Sequence, residues 1–95
     1  MEKKLSIVIP IYNSQHNLPP LMQNLTTVLS SLPNPYEIIL VNDGSHDQTW
    51  QTVKELSNKY PNIRAFDLMR NYGQHNALLC GIREASGEII ITMDD

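Results

Sequence analysis

Tyr36–Thr49, YEIILVNDGSHDQT, changes character within a single residue. Ile38, Ile39, Leu40 and Val41 form an unbroken apolar run, the pattern of a strand covered on both faces. Asn42-Asp43-Gly44-Ser45 then supplies turn formers and a carboxylate, and Asp47 is placed to cap a helix beginning at Gln48. A buried strand that delivers an Asp to its C-terminal end, just ahead of a helix, is how open α/β sheets build ligand sites. Taken alone, the loop reads equally well as turn chemistry, since such residues are common at strand ends. The other strand ends decide between the two.

Upstream, Leu5–Pro10 (LSIVIP) reads as another buried strand, in which Pro10 ends the pairing because it has no N–H to donate. Ile11-Tyr12-Asn13-Ser14 forms its strand-end loop, where the Tyr12 ring either covers the domain or meets a flat ligand. Asn17 is an N-cap candidate for a helix entered through Pro19 and Pro20. Leu18, Leu21, Met22, Leu25, Val28, Leu29 and Leu32 recur at steps of three and four and define one packing face. Pro33-Asn34-Pro35 stops that helix.

Downstream, Trp50, Val53, Leu56 and Tyr60 mark the inner face of a second helix, and Ile63–Met69 reads as a third strand. Arg70–His75 is a polar loop, in which Gly73 permits close backbone approach or positive φ. A third helix over Gln74–Ala85 carries Ala77 and Gly81, small enough to seat it close to a sheet, and Cys80 as a packing residue. A fourth strand covers Glu88 to about Asp94. Strict strand–helix alternation predicts a three-layer, Rossmann-like α/β fold with a parallel sheet in the order 3-2-1-4. All strand C-termini then share one rim. That rim collects Pro10, Tyr12 and Asn13; Asn42, Asp43 and Ser45; Asn71 and Gly73; and Asp94 with Asp95. Four polar strand ends on one edge exceed what turn chemistry alone requires.

Bulk properties narrow the function. A chain of 95 residues holds one small domain, and its net charge of −3 leaves no basic footprint for nucleic acid. No apolar run approaches a membrane span, no signal-peptide core precedes Leu5, and the single cysteine fits a reducing, cytoplasmic setting. There is no G-x-G-x-x-G, no P-loop and no G-x-S-x-G nucleophile elbow. His16, His46 and His75 lack zinc-ligand spacing and read as solvated loop residues. What remains is a carboxylate rim. Asp94 and Asp95 suit a hard divalent cation held by few protein ligands, with substrate phosphates completing its shell.

With these motifs in place, the chain resembles the nucleotide-binding front of a family 2 glycosyltransferase of the GT-A fold. The resemblance rests on Ser6–Asn13 (SIVIPIYN), Glu37–Ser45 (EIILVNDGS) with Asp47 and Thr49, Arg70–Gly73 (RNYG) and Gly87–Asp95 (GEIIITMDD), in that order. Asn71–His75 (NYGQH) followed by Ala77 is similar to the bacterial branch that transfers sugars to polyprenyl phosphate. The resemblance implies an inverting, metal-assisted transfer from a UDP- or GDP-sugar to a lipid-phosphate or saccharide acceptor. Pro10 and Tyr12 would border the nucleoside, Asp43 would accept a hydrogen bond from the base, and Asp94 would open the D-x-D motif holding Mg²⁺ or Mn²⁺. Asn42 departs from the family's usual Asp-Asp-Gly-Ser and removes one charge.

Because Asp95 would be the middle of that motif, residues 1–95 are expected to be the N-terminal, nucleotide-sugar-binding part of a longer, truncated domain, inactive alone. The whole protein is expected on the cytoplasmic side of a membrane, and the 95-residue piece to be soluble. An open fourth strand with Ile89, Ile90 and Ile91 is expected to favour a homo-oligomer. The competing reading is a non-catalytic nucleotide- or metal-binding α/β module. A receiver-like domain would need an acidic pocket between the first and third strand ends, and Met69-Arg70-Asn71 does not supply one.

Overall fold

The computed structural model describes residues 2–94. Its elements alternate as β1 (Leu5–Ile11), α1 (Leu18–Ser30), β2 (Tyr36–Asn42), α2 (Thr49–Lys59), β3 (Ile63–Asp67), α3 (Gln74–Glu84) and β4 (Ile89–Thr92). The sheet is four-stranded, parallel throughout, and ordered β3-β2-β1-β4, as the alternation predicts. β1 and β2 lie at its centre, which is why both read as continuous apolar runs.

The period-2 geometry of a strand splits those runs between two cores. Leu5, Ile7, Ile9 and Ile11 of β1, with Ile38 and Leu40 of β2, pack with Leu18, Met22 and Leu29 of α1 and Val53 and Leu56 of α2. Val8, Ile39 and Val41 pack on the other face with Ala77 of α3. Gly81 makes this second packing possible: a Cβ there would lie 2.3 Å from Val8 Cγ1. Cys80 is a partly buried member of the same cluster.

The placement of the helices follows from handedness. The first two crossovers step from β1 to β2 to β3, while the third returns past both to the far side of β1. A right-handed connection run in the opposite direction puts its helix on the opposite face. β1 and β4 are therefore the pair between which the chain's direction of travel reverses.

Several boundaries differ from the sequence reading. Pro10 does not end β1, since Pro10 pairs with Val41 and Ile11 with Asn42 in register. What it stops is pairing with β4. The β1–β4 ladder ends at Val8↔Thr92, with Met93 N–H donating to Val8 O at 3.0 Å. The next rung of a parallel ladder would need an N–H from residue 10, which proline lacks. β3 ends at Asp67 rather than Met69, because Met69 takes φ 66°. β4 is confined to residues 89–92.

Asn17 has helical φ and ψ and makes no side-chain cap; the Leu18 N–H donates instead to Ser14 O at 3.1 Å. Contrary to the packing face read from the sequence, Val28 and Leu32 are exposed, and Leu32 lies beyond the end of α1. The expectation for Asp47 holds in substance: helix α2 starts at Thr49, and Asp47 Oδ1 accepts the Thr49 N–H at 2.9 Å. Burial opposes the Asp47 charge, but the Thr49 hydroxyl and amide hold its pKa below the ordinary carboxylate value.

Candidate functional site

The missing rung at Pro10 opens a crevice between the C-terminal ends of β1 and β4. A cleft of about 190 Å³ lies there, lined by Pro10, Ile11, Tyr12, Asp43, Gln74 and Asp94. Three strand ends converge on it for a geometric reason. Asp94 stands two residues beyond the Val8↔Thr92 pair and is thus level with Pro10, while Asp43 directly follows the Ile11↔Asn42 pair. This is the switch point of an open α/β sheet, where such folds bind ligands.

Asp43 is buried, with 4% of its surface exposed, and anchored: its N–H donates to Ile11 O at 2.9 Å, and its Oδ1 accepts the Tyr72 N–H at 2.8 Å. Among the described residues, Oδ2 takes no further hydrogen bond. Gly44 takes φ 67° and lies so close to the β3–α3 loop that a Cβ would come within 2.3 Å of the Arg70 carbonyl carbon. That contact presses the Asp43 turn against the segment whose amide Asp43 binds. Tyr12 is half exposed over the cleft, its ring edge-on to His46 with centroids 6.1 Å apart.

Other residues from the sequence reading do different work. Asn42, Ser45 and Asn13 stitch loops together. The Asn42 amide donates to Asp67 Oδ1 at 3.2 Å, and Ser45 Oγ donates to Asn42 Oδ1. Asn13 N–H donates to Ser45 Oγ at 3.0 Å, and Asn13 Oδ1 accepts the His46 N–H at 2.8 Å. Asn71 Oδ1 accepts the Gly73 N–H at 3.0 Å and so shapes its own turn. Asn42, Ser45 and Asn71 line a separate depression of about 420 Å³ with Trp50 and Arg70, on the β3 side of the Asp43 loop. Gly73 takes φ 97° with open space around it, so positive φ rather than close approach is its reason. Asp95 lies outside the described residues. All three histidines are exposed.

Three residues take roles that the sequence reading did not assign to them. Ser14, buried, accepts the first amides of α1, and its N–H donates to Thr49 Oγ1 at 2.7 Å, tying the β1 loop to the start of α2. Thr49 is fully buried; a Thr directly after an Asp-containing turn is the signal that marks it. Gln74 opens α3, and its Nε2 donates to Asp94 Oδ1 at 2.6 Å. Its position just after the Gly73 turn was the available signal.

The donor set fits a hard divalent cation sparingly. Asp94 presents an oxygen-only carboxylate to the cleft, and no group of three or more His, Cys, Asp or Glu side chains converges among the described residues. A Mg²⁺- or Mn²⁺-type site takes one or two carboxylates and relies on substrate phosphates for the rest of its shell, and the single Asp94 carboxylate is compatible with that.

Fold and cleft together define an open α/β protein with a cleft at the switch point of its sheet. Residues 6–95 match the family described as Glycosyl transferase family 2, and the chain belongs to that family. It is 46% identical over 93 residues to undecaprenyl-phosphate 4-deoxy-4-formamido-L-arabinose transferase of Yersinia enterocolitica, covering 97% of this chain and 28% of that protein. The chain thus spans little more than a quarter of that relative's length. Among solved structures, the mannosyltransferase PcManGT from Pyrobaculum calidifontis, in complex with GDP-Man and Mn²⁺, superposes with a TM-score of 0.75 at 22% identity, covering 99% of this chain and 28% of that one. S. aureus TarS 1-349 in complex with UDP gives a TM-score of 0.75 at 29% identity, covering 96% and 27%. These likenesses establish the GT-A architecture.

Proposed function

We propose that residues 1–95 are the N-terminal, donor-binding part of a glycosyltransferase that moves a sugar from a UDP- or GDP-sugar to polyprenyl phosphate, with inversion. The observation that carries this reading is the convergence of Pro10, Tyr12, Asp43 and Asp94 on one cleft at the β1/β4 switch point. The relative that acts on undecaprenyl phosphate and the neighbours bound to GDP-Man or UDP support it. At about 190 Å³ the cleft is smaller than the roughly 300–1,000 Å³ of a whole ligand site. A cleft of that size is part of a donor site, and in this reading it receives the nucleoside end beside Pro10, Tyr12 and Asp43.

In this reading Pro10 and the Tyr12 ring flank the base, and the free Asp43 oxygen accepts a hydrogen bond from a base N–H. Asp43 is buried and already oriented by the Tyr72 amide, so little reorganisation accompanies binding. Asp94, with Asp95, holds Mg²⁺ or Mn²⁺ on the donor diphosphate. The cation's chemistry is to offset the negative charge that develops on the departing nucleotide. A phosphate acceptor needs little deprotonation, so its positioning outweighs a general base. A lipid-borne acceptor favours a membrane surface for the whole enzyme, and our reading puts it on the cytoplasmic side. No helix among the described residues is long and apolar enough to cross one.

Calorimetry of the chain with UDP and with GDP in the presence of Mn²⁺ tests the assignment. Asp43→Ala is expected to weaken nucleotide binding about tenfold or more, since a charged acceptor is lost. Unchanged nucleotide affinity in that variant would remove Asp43 from the site.

A further inference from the structure

Gln74 and Asp94 are twenty residues apart in sequence, yet together they form one wall of the cleft. Besides the 190 Å³ cleft they share a second depression of about 120 Å³, lined by Pro10, Gln74, Leu78, Thr92, Met93 and Asp94. The Gln74–Asp94 hydrogen bond lies where the two hollows meet. Asp94 is exposed and makes no other hydrogen bond or ion pair among the described residues. The Gln74 amide alone therefore sets the direction of its carboxylate.

The backbone of Gln74 is itself well held. Gly73 O accepts the Ala77 N–H at 3.0 Å, and Ala77 and Gly81 bury α3 against Val8 and Val41. A side chain rooted in that helix can hold a carboxylate at the end of a short strand, where the sheet no longer does so. The chemistry of the donor matters too. An amide is neutral, so it orients the Asp94 carboxylate while leaving its full charge for another cation; Lys or Arg would occupy that charge.

We propose that Gln74 is a positioning residue for cation binding at Asp94, acting as the outer hydrogen-bond partner of the ligating carboxylate. This rests on the reading of Asp94 as a cation ligand. Outer partners of this kind typically contribute ten- to hundredfold to metal affinity. The Gln74 side chain is exposed, so substitutions there leave the core intact.

Mn²⁺ titration followed by electron paramagnetic resonance, with saturating UDP, tests the role in the wild-type chain and in Gln74→Ala, Gln74→Met and Asp94→Ala. Methionine keeps the length and packing of glutamine but donates no hydrogen bond. Gln74→Ala and Gln74→Met are both expected to loosen Mn²⁺ about tenfold or more, with the circular-dichroism melting midpoint unchanged. Wild-type Mn²⁺ affinity in Gln74→Met overturns the role of Gln74 while leaving Asp94 as a ligand. Wild-type affinity in Asp94→Ala, or no Mn²⁺ binding by the wild-type chain, overturns the reading of Asp94 and this inference with it.

Discussion

The two ends of the sheet use the same chemical group in opposite ways. At the N-terminal end, Glu37 of β2 has only 5% of its side chain exposed, and its oxygens are saturated. Ser6 Oγ donates to it at 2.6 Å, the Ser86 N–H at 2.7 Å, Ser86 Oγ at 3.1 Å and Arg64 Nη1 at 3.0 Å. The Gly87 N–H then donates to Ser6 Oγ at 2.8 Å, which locks the α3–β4 turn onto β1 and β2. At the C-terminal end, Asp43 accepts a single backbone N–H and Asp94 a single side-chain amide. A carboxylate whose bonds are complete inside the protein holds a fold together. One left with an unused oxygen beside a cleft has capacity for a ligand.

The largest break in this comparison comes from Glu37→Ala, expected to destabilise the chain by roughly 3 kcal/mol through the Ser6 and Ser86 donors left unpaired. Arg64 is 41% exposed, so its ion pair contributes a minor share. Urea unfolding checks this, and a loss below about 1 kcal/mol would mean the network is only decorative.

Acid tests the same network without mutation. Burial works against the Glu37 charge, but the donors from Ser6, Ser86 and Arg64 outweigh it and pull the carboxyl from 4.5 down to about 2. A folded-state pKa below the unfolded one gives stability that is complete above the unfolded value and lost as protons bind the native state. Roughly 3 kcal/mol should therefore disappear between about pH 5 and pH 2. In Glu37→Gln the stability–pH profile should be flatter across that window.

At the other end the expected costs are smaller. Asp43→Ala leaves the Tyr72 amide unpaired and should cost about 1 kcal/mol of stability, while removing most nucleotide affinity. A stability loss as large as that of Glu37→Ala would erase the distinction between the two ends. The smallest folding effect belongs to β4, which among the described residues pairs only with β1 and leaves Ile89, Ile90 and Ile91 exposed at 40–42%. An unpaired apolar edge templates association. The chain is expected to sediment with concentration-dependent mass at micromolar levels. Ile90→Lys should return it to monomer, with stability changed by no more than about 0.5 kcal/mol.

Much of this architecture was legible in the residues themselves. Apolar runs in β1 and β2, the i, i+3, i+4 stripes of α1 and α2, and Asn, Asp and Gly at strand ends are local signals, and their alternation with right-handed crossovers implied the parallel sheet that is observed in the order β3-β2-β1-β4. The same reasoning put Asp43 and Asp94 on one rim. It could not divide that rim into the cleft of Pro10, Tyr12, Asp43 and Asp94 and the stitching of Asn13, Asn42 and Ser45. Polar residues at turns look alike in sequence, and only their distances separate a loop clamp from an open acceptor. Strand ends were blurred for a similar reason: Pro10 was read as a terminator because its missing N–H is visible in sequence, whereas the neighbour deprived of that N–H is not. Tertiary structure alone decided that the neighbour is β4, that the crevice opens there, that Gln74 reaches Asp94 and that Glu37 is saturated. Each of these depends on register between segments far apart in the chain, and local propensity carries no information about register.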